Sequence, residues 1–224
     1  MNLPFVGPRK TARGNGGVLG RVARSTFEAP ALWALAEYKV MPHYLAFLCG
    51  INLGKRRIKM AHLAALFRAL RFTNVETFIA SGNVIVSVKS GTAAKLSGQI
   101  EQHLHASLGY AVDTFLRTRA ELATLATFQP FPKNEMADPA HTTHVGFFAA
   151  ALTPEQARGL AACRSSTDEI HVQGRDYYWL CRDIKSHESK IWTSPAMRAL
   201  KLPPSSMRNL TTIRKLAELF PAAT

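Results

Sequence analysis

Acidic residues are scarce in this chain: 15 Asp and Glu stand against 28 Lys and Arg over 224 residues, a formal net charge of +13. The shortage leaves no pair of carboxylates whose spacing marks it for acid–base work, and it favours acidic partners by long-range attraction. Cysteine is scarce too. Cys49, Cys163 and Cys181 are odd in number and far apart, and no CxxC occurs. A disulfide framework and a zinc knuckle are therefore not expected, and a reducing cytoplasm is the favoured compartment. All three thiols sit in or beside apolar patterns and read as buried small hydrophobes. No apolar run reaches the roughly 18 residues of a membrane-crossing helix, and no charged-then-apolar stretch opens the chain. GxxxxGK[ST] and GxSxG are both missing, which removes the nucleotide-hydrolysing P-loop and the nucleophile elbow. No cofactor is expected, and the oligomeric state is not readable. Hydrophobic content of 47% excludes global disorder.

The first forty residues fit no fold element well. Pro4, Pro8, Gly14, Gly16 and Gly17 break any regular period, although a short helix over 31–38 is possible. Three readings of residues 1–40 stand: a spurious extension with Met41 the true start, which is preferred, a disordered basic arm that contacts nucleic acid, or an Arg-rich transit peptide. The segment holds six Lys/Arg and two Glu, so the rest of the chain keeps nine of the thirteen positive charges.

From residue 42 the pattern becomes regular. The apolar run Tyr44–Leu48 reads as a strand. Met60, Leu63, Phe67 and Leu70 recur at helical spacing, and Val75–Ala80 and Val84–Val88 flank Ser81-Gly82-Asn83 as a hairpin. Leu96, Ile100, Leu104 and Leu108 mark a second helix ended by Gly109, and Val112–Arg117 a fourth strand. The order β-α-β-β-α-β predicts a ferredoxin-like α+β domain over 42–118. A capping box, Thr118 to Glu121, opens a helix in the segment 119–141, whose polar end (133–142) is the expected linker. A smaller α+β domain is expected over 142–224. It comprises a strand near 144–150, a helix opened by the capping box Thr153–Gln156, a hairpin over 169–182 and two terminal helices.

The sharpest local signal is Leu48-Cys-Gly-Ile-Asn-Leu-Gly-Lys-Arg-Arg57. Gly50, Asn52 and Gly54 allow backbone N–H groups to converge, and Lys55, Arg56 and Arg57 follow where a helix is about to start, so the loop reads as an anion cradle. Ser81 and Asn83 could donate to the same ligand, and Arg208 and Asn209 could contribute from the C-terminal element. The bland alternative is a pair of ordinary turns with solvated charges. Tyr177, Tyr178 and Trp179 could stack bases or simply pack the core. His103/His105 and His141/His144 lack the neighbours a metal site needs, so no metal is expected.

Leu48-Cys-Gly-Ile-Asn-Leu-Gly54, Met60-Ala-His-Leu63, Phe72-Thr-Asn-Val75, Ser81-Gly-Asn-Val84, Ser189-Lys190 and Ser206-Met-Arg-Asn209 with Thr212–Leu216 follow one another in an order that resembles the bacterial domain of unknown function 1697. The resemblance covers about 44–219 and implies a two-part α+β fold with a ferredoxin-like first half. It brings no catalytic residues, because the family has no assigned reaction. Cys49 stands where the family usually has Arg, Ala80 where it has Gln and Leu210 where it has Trp. If the family's Arg contacts an anion, that contact is lost here, and Lys55, Arg56 and Arg57 are the candidates to replace it. The expectation is a protein that binds an anionic small molecule or nucleic acid, with no membrane partner. The alternatives are an enzyme acting on a phosphorylated or acidic metabolite, oriented by Asn52, Ser81 and Asn83, and an interaction module without a ligand.

Overall fold

A computed structural model describes residues 42–221, with 53 and 55 excepted; the segment 1–40, read above as a spurious extension, and Lys55 lie outside the described residues. Strand β1 (His43–Leu48) leads through a long loop to helix α1 (Met60–Ala69). Strands β2 (Thr73–Phe78) and β3 (Asn83–Ser87) form the hairpin, α2 (Ala93–Leu108) follows, and β4 (Thr114–Thr118) completes the first sheet. The order β2-β3-β1-β4, antiparallel throughout, is the ferredoxin-like one. Gly109 ends α2 in the left-handed conformation at φ +75°. Thr118 and Glu121 close a reciprocal capping box at the start of α3 (Arg119–Thr127), which satisfies two N–H groups that the helix would leave bare.

The segment expected to be a polar linker carries a short helix, α4 (Lys133–Ala137). Beyond it the chain repeats its own topology. Strand β5 (Thr142–Phe147), helix α5 (Pro154–Ala162), the hairpin β6 (Asp168–Gln173) and β7 (Asp176–Cys181), a 3-10 turn at Ile191–Thr193, α6 (Pro195–Ala199) and β8 (Ser206–Asn209) build a second sheet, before α7 (Leu210–Leu219). Its order, β6-β7-β5-β8, reproduces that of the first. The expected smaller α+β half is thus a second ferredoxin-like unit, completed by a strand with no sequence signal: β8 is four polar-leaning residues paired to β5.

Alternation along each strand decides where its two faces go. In the first sheet Ala46, Leu48, Val84, Val86 and Leu116 pack beneath α1 and α2 with Leu63, Phe67 and Ile100. Their neighbours Leu45, Phe47, Ile85 and Phe115 join Val145, Phe147, Tyr178 and Leu180 of the second sheet in one buried cluster, flanked by Leu122 and Leu125 of α3 and Ile213 and Leu216 of α7. The opposite face of the second sheet packs Phe148, Tyr177, Trp179 and Cys181 against Leu160, Ile191 and Met197. The sheets therefore share a core, centred on Phe47 and Phe147, whose rings stack at 4.1 Å between centroids. Tyr177, Tyr178 and Trp179 are all buried, which corrects the base-stacking reading. Cys163 and Cys181 are buried as expected, whereas Cys49 is half-buried.

Candidate functional site

The β1–α1 loop (residues 49–59) begins where β1 leaves the sheet. Its base is fixed by two backbone bonds, Leu48 N–H to the Gly82 carbonyl and Cys49 N–H to that of Asp113, each 2.9 Å. Ile51 is buried in the core under α1, and Gly82 sits so close that a Cβ there would meet Ile51 Cγ2 at 2.5 Å. Gly82 also takes φ +78°, so only glycine fits on both counts. Asn52 clamps the loop: its Oδ1 accepts from Ile58 N–H at 2.8 Å, and its Nδ2 donates to the Ala80 carbonyl at 2.9 Å across to the β2–β3 hairpin. Gly50 and Gly54 adopt positive φ, at +63° and +61°.

Arg56 and Arg57 of the loop are held without acids. Arg57 Nη1 donates to the carbonyls of Asn52 (3.2 Å) and Arg56 (2.7 Å). The Arg56 guanidinium lies over the Tyr110 ring, 4.2 Å from its centroid. Both side chains are exposed and neither enters an ion pair among the described residues. Neither belongs to the helix start, since α1 begins at Met60 with Lys59 as its N-cap. On the hairpin, next to the Ala80 that Asn52 holds, Ile79 is 51% exposed and left-handed at φ +51°. For a β-branched residue that conformation costs on the order of 1–3 kcal/mol.

Asn83, Arg208 and Asn209 do structural work nearby. Asn83 Nδ2 donates to the Phe78 carbonyl and to Ser81 Oγ, both at 3.0 Å. Arg208 reaches from β8 under the loop: Nε donates to Asn83 Oδ1 at 2.6 Å, and Nη2 to the carbonyls of Leu48 (2.9 Å) and Ser81 (2.8 Å). It is 8% exposed and meets no carboxylate among its hydrogen-bond partners, and burial lowers its pKa to about 10, opposed by Cys49. Asn209 caps α7 through Thr211 N–H at 2.8 Å. Cys49 Sγ lies 3.5 Å from the Ser205 carbonyl; burial and Asp113 push its thiol up, against Arg208 and Arg56.

The second half repeats this construction in reverse. Arg117 of β4 occupies the register position opposite Leu45 that Arg208 occupies opposite Val145. It crosses to the second unit, where Nη2 donates to Asp176 Oδ1 at 2.7 Å and to the Phe148 carbonyl at 3.0 Å. Asp176 pairs with Phe147 as Asn83 pairs with Phe47. Each arginine also faces the other unit's phenylalanine, Arg117 above Phe147 and Arg208 above Phe47, at 5.4 and 5.7 Å. Sequence reading missed both roles. The signal was in β4, where Phe115 and Arg117 share the face opposite Leu116.

These features define a duplicated ferredoxin-like α+β protein, cross-braced by two buried arginines and carrying one long basic loop. The chain belongs to the family described as protein of unknown function DUF1697, whose profile matches residues 41–178. A search of curated proteins gives no match. Among solved structures it is similar to a conserved bacterial protein, SP0830 from Streptococcus pneumoniae, at 19% identity and a TM-score of 0.62, over 81% of this chain and 99% of that one. At that identity the likeness establishes the fold alone. No helix among the described residues is long and apolar enough to cross a membrane.

Proposed function

We propose that this protein binds a small anionic ligand, phosphorylated or carboxylated, at the lip formed by the β1–α1 loop and the β2–β3 hairpin. The observation that carries the reading is the Asn52 clamp beside two acid-free guanidiniums. Asn52 closes the loop on itself through Ile58 N–H at 2.8 Å and ties it to the hairpin through the Ala80 carbonyl at 2.9 Å, so Arg56 and Arg57 are presented from an anchored loop with N–H donors to spare. The strained Ile79 on the hairpin, adjacent in sequence to the Ala80 that the loop is tied to, supports a site over a plain turn, because such strain concentrates where a surface is used. A small ligand is favoured over single-stranded nucleic acid, since the sheet faces that would stack bases are buried against each other or beneath helices.

Isothermal titration with ATP, pyrophosphate and an oligonucleotide, at two salt concentrations, tests this. The expected result is saturable binding of the small anions that falls at least tenfold in the Arg56→Ser/Arg57→Ser variant, whose melting temperature stays near the parent's. Tight oligonucleotide binding with a steep salt slope would reassign the lip to nucleic acid. Equal affinities of variant and parent would remove the site.

A further inference from the structure

Apart from the lip, a cavity of about 520 Å³ opens in the second unit, within the size range of small-molecule sites. Two loops form its walls: Arg164–Thr167, after α5, and the segment ending in Ser189 and Lys190, before the 3-10 turn. Asp168, 3% exposed, ties them together. Its Oδ2 accepts from Ser165 Oγ (2.7 Å) and Thr167 Oγ1 (2.8 Å), and its Oδ1 from Ser189 Oγ (2.7 Å) and Trp179 Nε1 (2.9 Å). Those donors hold the Asp168 carboxyl below its usual range against the opposing effect of burial.

The hydrogen-bond count fixes what the walls can offer. Asp168 is saturated, with two donors on each oxygen, and takes the hydroxyl protons of Thr167 and Ser189. A hydroxyl has one proton, so toward a guest these two can only accept, and they suit ligand O–H groups. Arg164 and Lys190 are exposed on the same walls with no ion pair among the described residues, and they can only donate. Ile184 and Ile191 supply an apolar side, and the one lining carboxylate besides Asp168, Glu188, is held within its own turn by accepting from Lys185 N–H at 2.9 Å.

We infer that this cavity binds a sugar phosphate, its hydroxyls donating to Thr167 and Ser189 and its phosphate held by Arg164 and Lys190. The site is independent of the lip, so either can fail alone. The test is amide chemical-shift mapping of the full chain with glucose 6-phosphate and ribose 5-phosphate, with glucose and inorganic phosphate in separate arms. Saturable shifts at 164–168 and 189–191 are expected from at least one sugar phosphate, with affinity at least tenfold above either fragment. Arg164→Ser/Lys190→Ser should lower it at least tenfold, and Thr167→Val several-fold, with the amide spectrum elsewhere unchanged. Absence of shifts at these positions, an equal response to inorganic phosphate, or shifts confined to 52–59 would overturn the inference.

Discussion

The two units of this molecule have one topology and two chemistries. Both run βαββαβ with the same strand order, both end the equivalent hairpin on a positive-φ glycine, Gly82 or Gly174, and both receive a buried arginine from the other's last strand. The second unit answers its arginine with a carboxylate, Asp176, and joins β5 to α5 by the short stretch 148–153. The first answers with an amide, Asn83, and spends residues 49–59 on a loop that presents Arg56 and Arg57. A fold built twice keeps its braces in both copies and elaborates a loop in one. The proposed lip rests on that asymmetry: it lies on the half with the longer loop, apart from the cavity proposed in the other.

Removing the braces should break the comparison most visibly. Arg117→Ala leaves the partly buried Asp176 without its ion-pair partner and should cost about 3–5 kcal/mol. Arg208→Ala strands only neutral acceptors and should cost less, about 1–3 kcal/mol. Urea unfolding of the two variants checks the ranking; equal losses would mean that the carboxylate makes no difference.

A smaller effect lies in the pH response of the second unit. His144 stacks on Trp179 at 4.9 Å between centroids, its Nδ1 buried without a partner, and burial lowers its pKa from 6.5 to about 4. The folded state holds it neutral while the unfolded chain protonates. Its contribution is therefore complete above pH 6.5 and lost as pH falls toward 4, on the order of 2 kcal/mol. Urea midpoints between pH 7 and 4 should fall less steeply in His144→Phe, which keeps the stacking without the titration.

The smallest contrast concerns the two hairpin glycines. Gly174→Ala meets no atom within 4 Å and incurs only the left-handed cost, about 1 kcal/mol. Gly82→Ala adds the clash with Ile51 and should cost about 1 kcal/mol more. Thermal denaturation of the pair measures the difference, and reversal of the order would show that Ile51 is not wedged against the hairpin.

What was legible in the sequence was local. The helical faces of α1 and α2, the capping boxes at Thr118 and Thr153 and the Gly109 terminus each depend on residues within a few positions of one another, and each stands in the structure. Strand β8 was illegible because Ser-Met-Arg-Asn has no strand-like period, and its pairing to β5 alone makes it a strand. The shared core was illegible for a similar reason: alternation says that a strand has two apolar faces but not what covers the second. The same reason hides Arg208 and Asn83, which distant backbone carbonyls and amides hold inside, whereas Asn52 and Arg57 meet within one loop of local spacing.

The most direct test of the account maps amide shifts of the full chain while pyrophosphate is added. The account predicts saturable changes gathered at residues 50–59 and 80–82, with the matching connection 148–153 silent. Changes of equal size at 148–153, or none at 50–59, would contradict it.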